Sequence, residues 1–140
     1  MRDIVLGFDF GLKRIGVAVG NGVTATASAL APLRAQDGTP DWEAVRRLLE
    51  EWKPARLVVG LPLNMDGTPS EMSARAERFA RRLEGRFNLR CELMDERLSS
   101  FEARGLIADS GREASTDSVA ACLVLESWFA RPAESPPPAA

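Results

Sequence analysis

Three stretches of this chain place a carboxylate where an apolar element starts or stops. Asp9 closes the run IVLGFD, Asp95 and Glu96 follow LRCELM, and Asp117 opens DSVAACLVLESWF. An ionised carboxylate at a buried strand end costs on the order of several kcal/mol to desolvate unless it is paired or binds a metal. Side chains alternate along an extended chain, so Val5, Gly7 and Asp9 share one face, and only one of Asp95 and Glu96 can turn the same way. Gly7 is expected to leave room beside the acid, and Gly11 to give the following turn backbone angles closed to other residues.

Singly, each acid has an ordinary explanation. Asp9 could cap a turn and pair with Lys13 or Arg14. Asp95 or Glu96 could pair with Arg97 or cap the segment after Ser99, and the helix dipole favours Asp117 in a first turn. Together, three carboxylates from separate elements can hold two divalent ions roughly 4 Å apart, clamping the attacking and leaving oxygens of a phosphodiester. That chemistry needs no histidine, and the chain has none. Ser-His-Asp triads, His-built zinc sites and imidazole acid–base catalysis are thereby excluded.

The elements that must position these acids follow from pattern. The 140 residues, 45% hydrophobic and 27% charged, suit one globular domain. The net charge of −2 provides no global basic field, so a nucleic acid would have to meet a local basic face. Cys91 and Cys122 stand among apolar residues, far apart, and read as buried free thiols. The start of the chain lacks a signal-type apolar stretch, and no run approaches the roughly 18 apolar residues of a membrane span, so a cytoplasmic protein away from membranes is expected.

Residues 4–9 read as a central strand buried on both faces, with 14–20 and 23–33 completing an antiparallel meander. Thr39-Pro40-Asp41 reads as a helix start with Pro near its first turn, followed by the stripe Trp42, Val45, Leu48, Leu49, Trp52 and a stop at Lys53-Pro54. A short strand at 56–60 and a loop at 61–69 precede a helix capped by Ser70, with stripe Met72, Ala76, Phe79, Leu83. Leu89, Cys91 and Leu93 alternate with Arg90 and Glu92 in the next strand. Ser99 and Glu102 form a capping-box pattern for a third helix. A polar loop covers about 109–115, and a last helix from near Thr116 buries Val119, Ala120, Leu123, Val124 and Trp128. The expected α/β domain, residues 1–131, is a mixed five-stranded sheet, antiparallel then parallel, with helices on both faces. Residues 132–140 hold four of the nine prolines and read as a disordered tail.

The blocks GFDFGLKRIGVAVG (7–20), VVGLPLNMDGTPSEMSARAERFA (58–80), DERLSSFEAR (95–104) and DSVAACLVLESWF (117–129) resemble the YqgF/RuvX family of bacterial RNase H-like proteins. GLPLNMDG is the most specific of these motifs. The resemblance implies an RNase H-like fold and a nuclease role in maturing the 5′ end of pre-16S rRNA. Kinship with RuvC implies an alternative, Holliday junction resolution. Carried over by position, the family's acidic set falls on Asp9, Glu96 and Asp117, with Mg²⁺ or Mn²⁺ as the metal. Three departures stand out. Gly20-Asn21 replaces a frequent Ser-Asp, Leu98-Ser99 replaces Leu-Thr, and DSGREAST, with Arg112 as its only base, replaces a loop commonly rich in Lys and Arg.

Phosphates approaching an acidic site require cations around it. Lys13, Arg14 and Arg97 flank the acids in sequence. Arg75, Arg78 and Arg82 share a helical face, either for nucleic acid or as a solvated face with Glu71–Arg75 and Glu77–Arg81 pairs. Asn64, in a turn signature, could touch sugar or phosphate or simply stabilise its loop. There is no Tyr, and the three Trp residues sit on apolar stripes, so recognition by backbone shape is expected rather than base stacking. Two other readings remain. One is a non-catalytic RNA-binding module. The other is nucleotide binding, since DFGLKRIGVAV (9–19) also resembles the phosphate-binding hairpin of the actin and sugar-kinase superfamily, which requires a second such domain. A homodimer would suit a two-fold junction, although no apolar stripe marks an interface.

Overall fold

The computed structural model describes residues 4–62, 66, 68, 70–95 and 116–130, with Thr116 and Asp117 described by backbone alone. Strands β1 (Ile4–Asp9), β2 (Arg14–Asn21) and β3 (Thr26–Gln36) form the antiparallel meander, and β4 (Thr39–Pro40) adds a two-residue edge. Helix α1 (Trp42–Trp52), strand β5 (Arg56–Leu61), helix α2 (Glu71–Phe87), strand β6 (Cys91–Asp95) and helix α3 (Thr116–Ala130) follow. The sheet order is β4-β3-β2-β1-β5-β6, with β1, β5 and β6 parallel. Among the described residues the sheet thus has six strands rather than five. The expected helix after Ser99, the loop at 109–115 and the tail at 132–140 lie outside the described residues.

Alternation along β1 divides the core into two layers. Leu6 and Phe8 pack with Leu57, Val59, Val45 of α1 and Phe79 and Leu83 of α2. On the other face Val5, Ala18, Val58 and Met94 pack with Ala121, Val124, Leu125 and Trp128 of α3. Val119 and Leu123 are also buried, in a smaller cluster of their own, whereas Ala120 is only half-buried.

Several local expectations are corrected. Thr39 and Pro40, expected to open the helix, form β4 instead, and the start is left to Asp41, the N-cap, which accepts from the Glu43 N–H. A proline without an N–H is tolerated on such a short edge strand. Between β3 and β4, Asp37 (φ 53°) and Gly38 (φ 85°) both take left-handed backbone angles, the pairing demanded by a two-residue type I′ hairpin. β3 begins three residues later than expected because the chain turns at Ala25 (φ 57°), whose N–H donates to the Asn21 carbonyl. Gly11 does not use a positive φ. A Cβ there would collide with the Arg14 carbonyl oxygen, so glycine is required by a close backbone approach. Ser70 caps α2 as expected, with Ser73 reciprocating, and its hydroxyl also donates to the Pro62 carbonyl.

Candidate active site at the carboxyl edge of the sheet

Strands β1, β5 and β6 run parallel and end on one edge, where open α/β sheets place their sites. The registers Phe8↔Val59 and Val59↔Leu93 put Asp9 one residue beyond a shared row and Asp95 two beyond it. β1 and β6 are separated by two strand spacings, about 10 Å. Half-buried Asp9 follows Val5 and Gly7 onto the α3 face. Asp95 follows Met94, which is buried against α3, so alternation turns Asp95 to the α2 face, beside its register partner Leu61. Of the expected acids, Glu96 lies outside the described residues, as do Arg97 and Asn64.

The first turn of α3 comes to the same edge. The Val17 N–H donates to the Ser118 hydroxyl at 3.2 Å, and both residues are fully buried. Val17 lies beside Gly16, the register partner of Asp9. The bond falls at a break in the β2–β3 ladder, where the register jumps between Ile15 and Val17 opposite a β3 stretch containing Pro32. Ser118 therefore satisfies a buried backbone donor at the irregularity and pins α3 to β2. Asp117, the preceding residue, is carried by its backbone to the Asp9 end of the β1–β2 pair. Ser118 carries no signal of this role in the sequence, because a serine in a first helical turn is ordinarily a local cap and the break that recruits it is a tertiary feature.

Asp9 is the one member of the expected metal set whose side chain is described. Its hard oxygen donors are of the type that Mg²⁺ and Mn²⁺ take, as are those of the Glu and Asp that the family resemblance adds to the set. Among the described residues, no three His, Cys, Asp or Glu side chains gather closely enough to hold a metal ion.

The basic residues divide. Lys13 and Arg14 are exposed at the β1–β2 turn, next to the edge. That turn is tied to the β3–β4 hairpin, since Leu12 and Lys13 carbonyls accept from Gly38 and Ala35 N–H groups. Arg75 and Arg78 lie on α2, across the sheet from the Asp9 face, in a cleft with Phe10, the residue after Asp9. The expected Glu71–Arg75 and Glu77–Arg81 pairs are present at 4.0 and 3.1 Å, and Arg75 also reaches Asp37 at 3.4 Å. Both cysteines are free thiols, half-buried. No described helix is long and apolar enough to cross a membrane.

Residues 3–131 match the RuvX family, described as Holliday junction resolvase. A Pseudomonas putida protein named "Putative pre-16S rRNA nuclease" is 57% identical over 132 residues, covering 90% of this chain and 94% of its own. A Hahella chejuensis protein of the same name is 58% identical over 131 residues, covering 89% and 82%. In fold, the chain is similar to Thermus thermophilus RuvC in complex with Holliday junction substrate (TM-score 0.55, 16% identity, 90% and 92% covered). It is also similar to the fowlpox virus Holliday junction resolvase (TM-score 0.53, 17% identity, 90% and 96% covered).

Proposed function

The chain belongs to the RuvX family, and on that premise we propose that it is a divalent-metal-dependent nuclease acting in the cytoplasm on the 5′ end of pre-16S rRNA. The observation that carries this reading is the meeting of the β1 terminus with the first turn of α3 through the Val17–Ser118 bond. Asp9 and Asp117 thereby come from separate elements to one edge. Glu96 is preferred to Asp95 as their companion because alternation along β6 turns Asp95 to the α2 face. One further residue of extended chain would return to the Asp9 face.

In this reading Asp9, Glu96 and Asp117 hold Mg²⁺ or Mn²⁺. When bound there, such ions would supply an activated water and stabilise the leaving oxygen. The chain's own contribution is position and charge. Asp9 is fixed by the central strand, Asp117 by the anchored helix, and Lys13 and Arg14 meet phosphate at the rim. Arg97 and Asn64 are assigned to the substrate on the same grounds of sequence. The family's description favours one second reading, cleavage of four-way DNA junctions, for which a homodimer would match the two-fold substrate.

Asp9→Asn tests the reading. The variant should keep the wild-type circular dichroism spectrum and melting temperature while losing Mn²⁺-dependent cleavage of a pre-16S leader by about a hundredfold or more, as loss of a metal ligand requires. Undiminished cleavage would overturn the mechanism. A wild-type chain that binds the leader without cutting it would instead indicate a non-catalytic RNA-binding module. A parallel assay on a synthetic junction decides between RNA and branched DNA.

A further inference from the structure

The α2 cleft is not part of the Asp9 face, yet it opens at the same edge. Its volume is about 430 Å³, with Arg75, Arg78 and Arg82 on one wall and Phe10, Gly38 and Thr39 on the other. The opposing wall is built for this approach. A Cβ on Gly38 would lie 2.8 Å from the Phe10 ring, so only glycine lets the hairpin settle there, and the Gly38 N–H is held by the Leu12 carbonyl. Lys13, next in the chain, extends the basic margin toward Asp9.

The charge is only partly neutralised. Arg75 is shared with Asp37 and Glu71. Among the described residues, neither Arg78 nor Arg82 lies within ion-pair distance of a carboxylate. The Arg82 guanidinium sits 5.9 Å from the centre of the Trp42 ring, which steadies it without cancelling its charge. From Arg75 to Arg82 the helix rises on the order of 10 Å. That length matches about three phosphates along one strand of a duplex, spaced 3.4 Å along the axis.

We propose that this cleft is a backbone track for nucleic acid, in which Arg78 and Arg82 contact phosphodiesters of the strand leaving the Asp9 edge. The inference rests on the nuclease reading for its choice of ligand. Phe10 gives it continuity with the cleavage edge, and the arginines give it charge complementarity. Its chemistry is that of any phosphodiester backbone, so the test compares RNA with DNA.

Binding of a fluorescent pre-16S leader is measured in EDTA, across a salt series, for the Asp9→Asn chain with and without R78A/R82A. The double substitution should weaken binding about tenfold or more at low salt. It should also flatten the plot of log affinity against log salt by about two, one per lost phosphate contact. R78K/R82K should retain the slope, which a merely structural role would not predict, and R47A/R81A, outside the cleft, should leave it unchanged. Repeating the series with duplex RNA and duplex DNA identifies the source of the backbone. A slope for R78A/R82A equal to that of R47A/R81A overturns the track. That failure is distinct from failure of the nuclease reading, which appears as Asp9→Asn cleaving at the wild-type rate whatever the slopes.

Discussion

Gly7 precedes Asp9 by two residues on one face of β1, and what fills the space above it is Leu125 of α3. A Cβ at position 7 would lie 2.5 Å from the Leu125 Cγ, and Leu125 is fully buried. Glycine here makes room for a helix rather than for the acid. Gly7→Ala should therefore overpack the α3 layer and cost about 1–3 kcal/mol, read as a lower urea midpoint with unchanged m. Leu125→Ala alone should cost about 2–5 kcal/mol through its cavity. The double variant should be more stable than the two losses added together, and strict additivity would show that the two residues do not compete for space. At this scale the sequence is readable where chemistry is intrinsic to the residue. Asp9 stands out as an acid ending an apolar run, but the partner of Gly7 lies in the last helix and leaves no local signature.

Elements were legible wherever their signals are local. β1 follows from a continuous apolar run, and the capping of α2 by Ser70 from a hydroxyl at the N-cap. The β3–β4 hairpin carries an equally local signal, Asp-Gly after the alternating Leu33-Arg34-Ala35-Gln36, but Thr39-Pro40-Asp41 also fits a helix start. The two-residue β4 is decided by pairing with Ala35 and Gln36, which local sequence does not encode. The seating of α3 is illegible for the same reason, because it depends on a ladder break that exposes the Val17 N–H. Ser118→Ala leaves that donor buried and unsatisfied. The cost should be about 1–3 kcal/mol, reduced by the few tenths that alanine gains in helix propensity. Thermal melts should show the drop. Under the proposed function, Mn²⁺-dependent cleavage should fall further than melting accounts for, because Asp117 loses its anchor. Wild-type melting for Ser118→Ala would mean that the bond does not hold the helix.

On the scale of the whole molecule, the sheet separates two apolar layers, and each carries one thiol. Cys91 packs toward α1 and α2, and Cys122 toward the α3 layer. Burial, with Glu84 and Glu92 adding to it, pushes the Cys91 thiol from 9.0 up to about 12. Burial and Glu126 push Cys122 up to about 11. In both cases the folded chain holds its proton to a higher pH than the unfolded chain. Above about pH 9 the unfolded state therefore binds fewer protons, and stability falls with rising pH. The contribution of each thiol is fully present below 9.0 and is lost as the pH climbs through 11 for Cys122 and 12 for Cys91. If the two layers unfold as one cooperative unit, a single urea transition should carry both dependences. Cys91→Ala should then remove the larger share of the alkaline slope of that transition, and Cys122→Ala the smaller. Two transitions, each sensitive to one replacement only, would show that α3 leaves the sheet while the α1–α2 layer stays folded. The Asp9 edge would then be lost before the core, since α3 brings Asp117 to it.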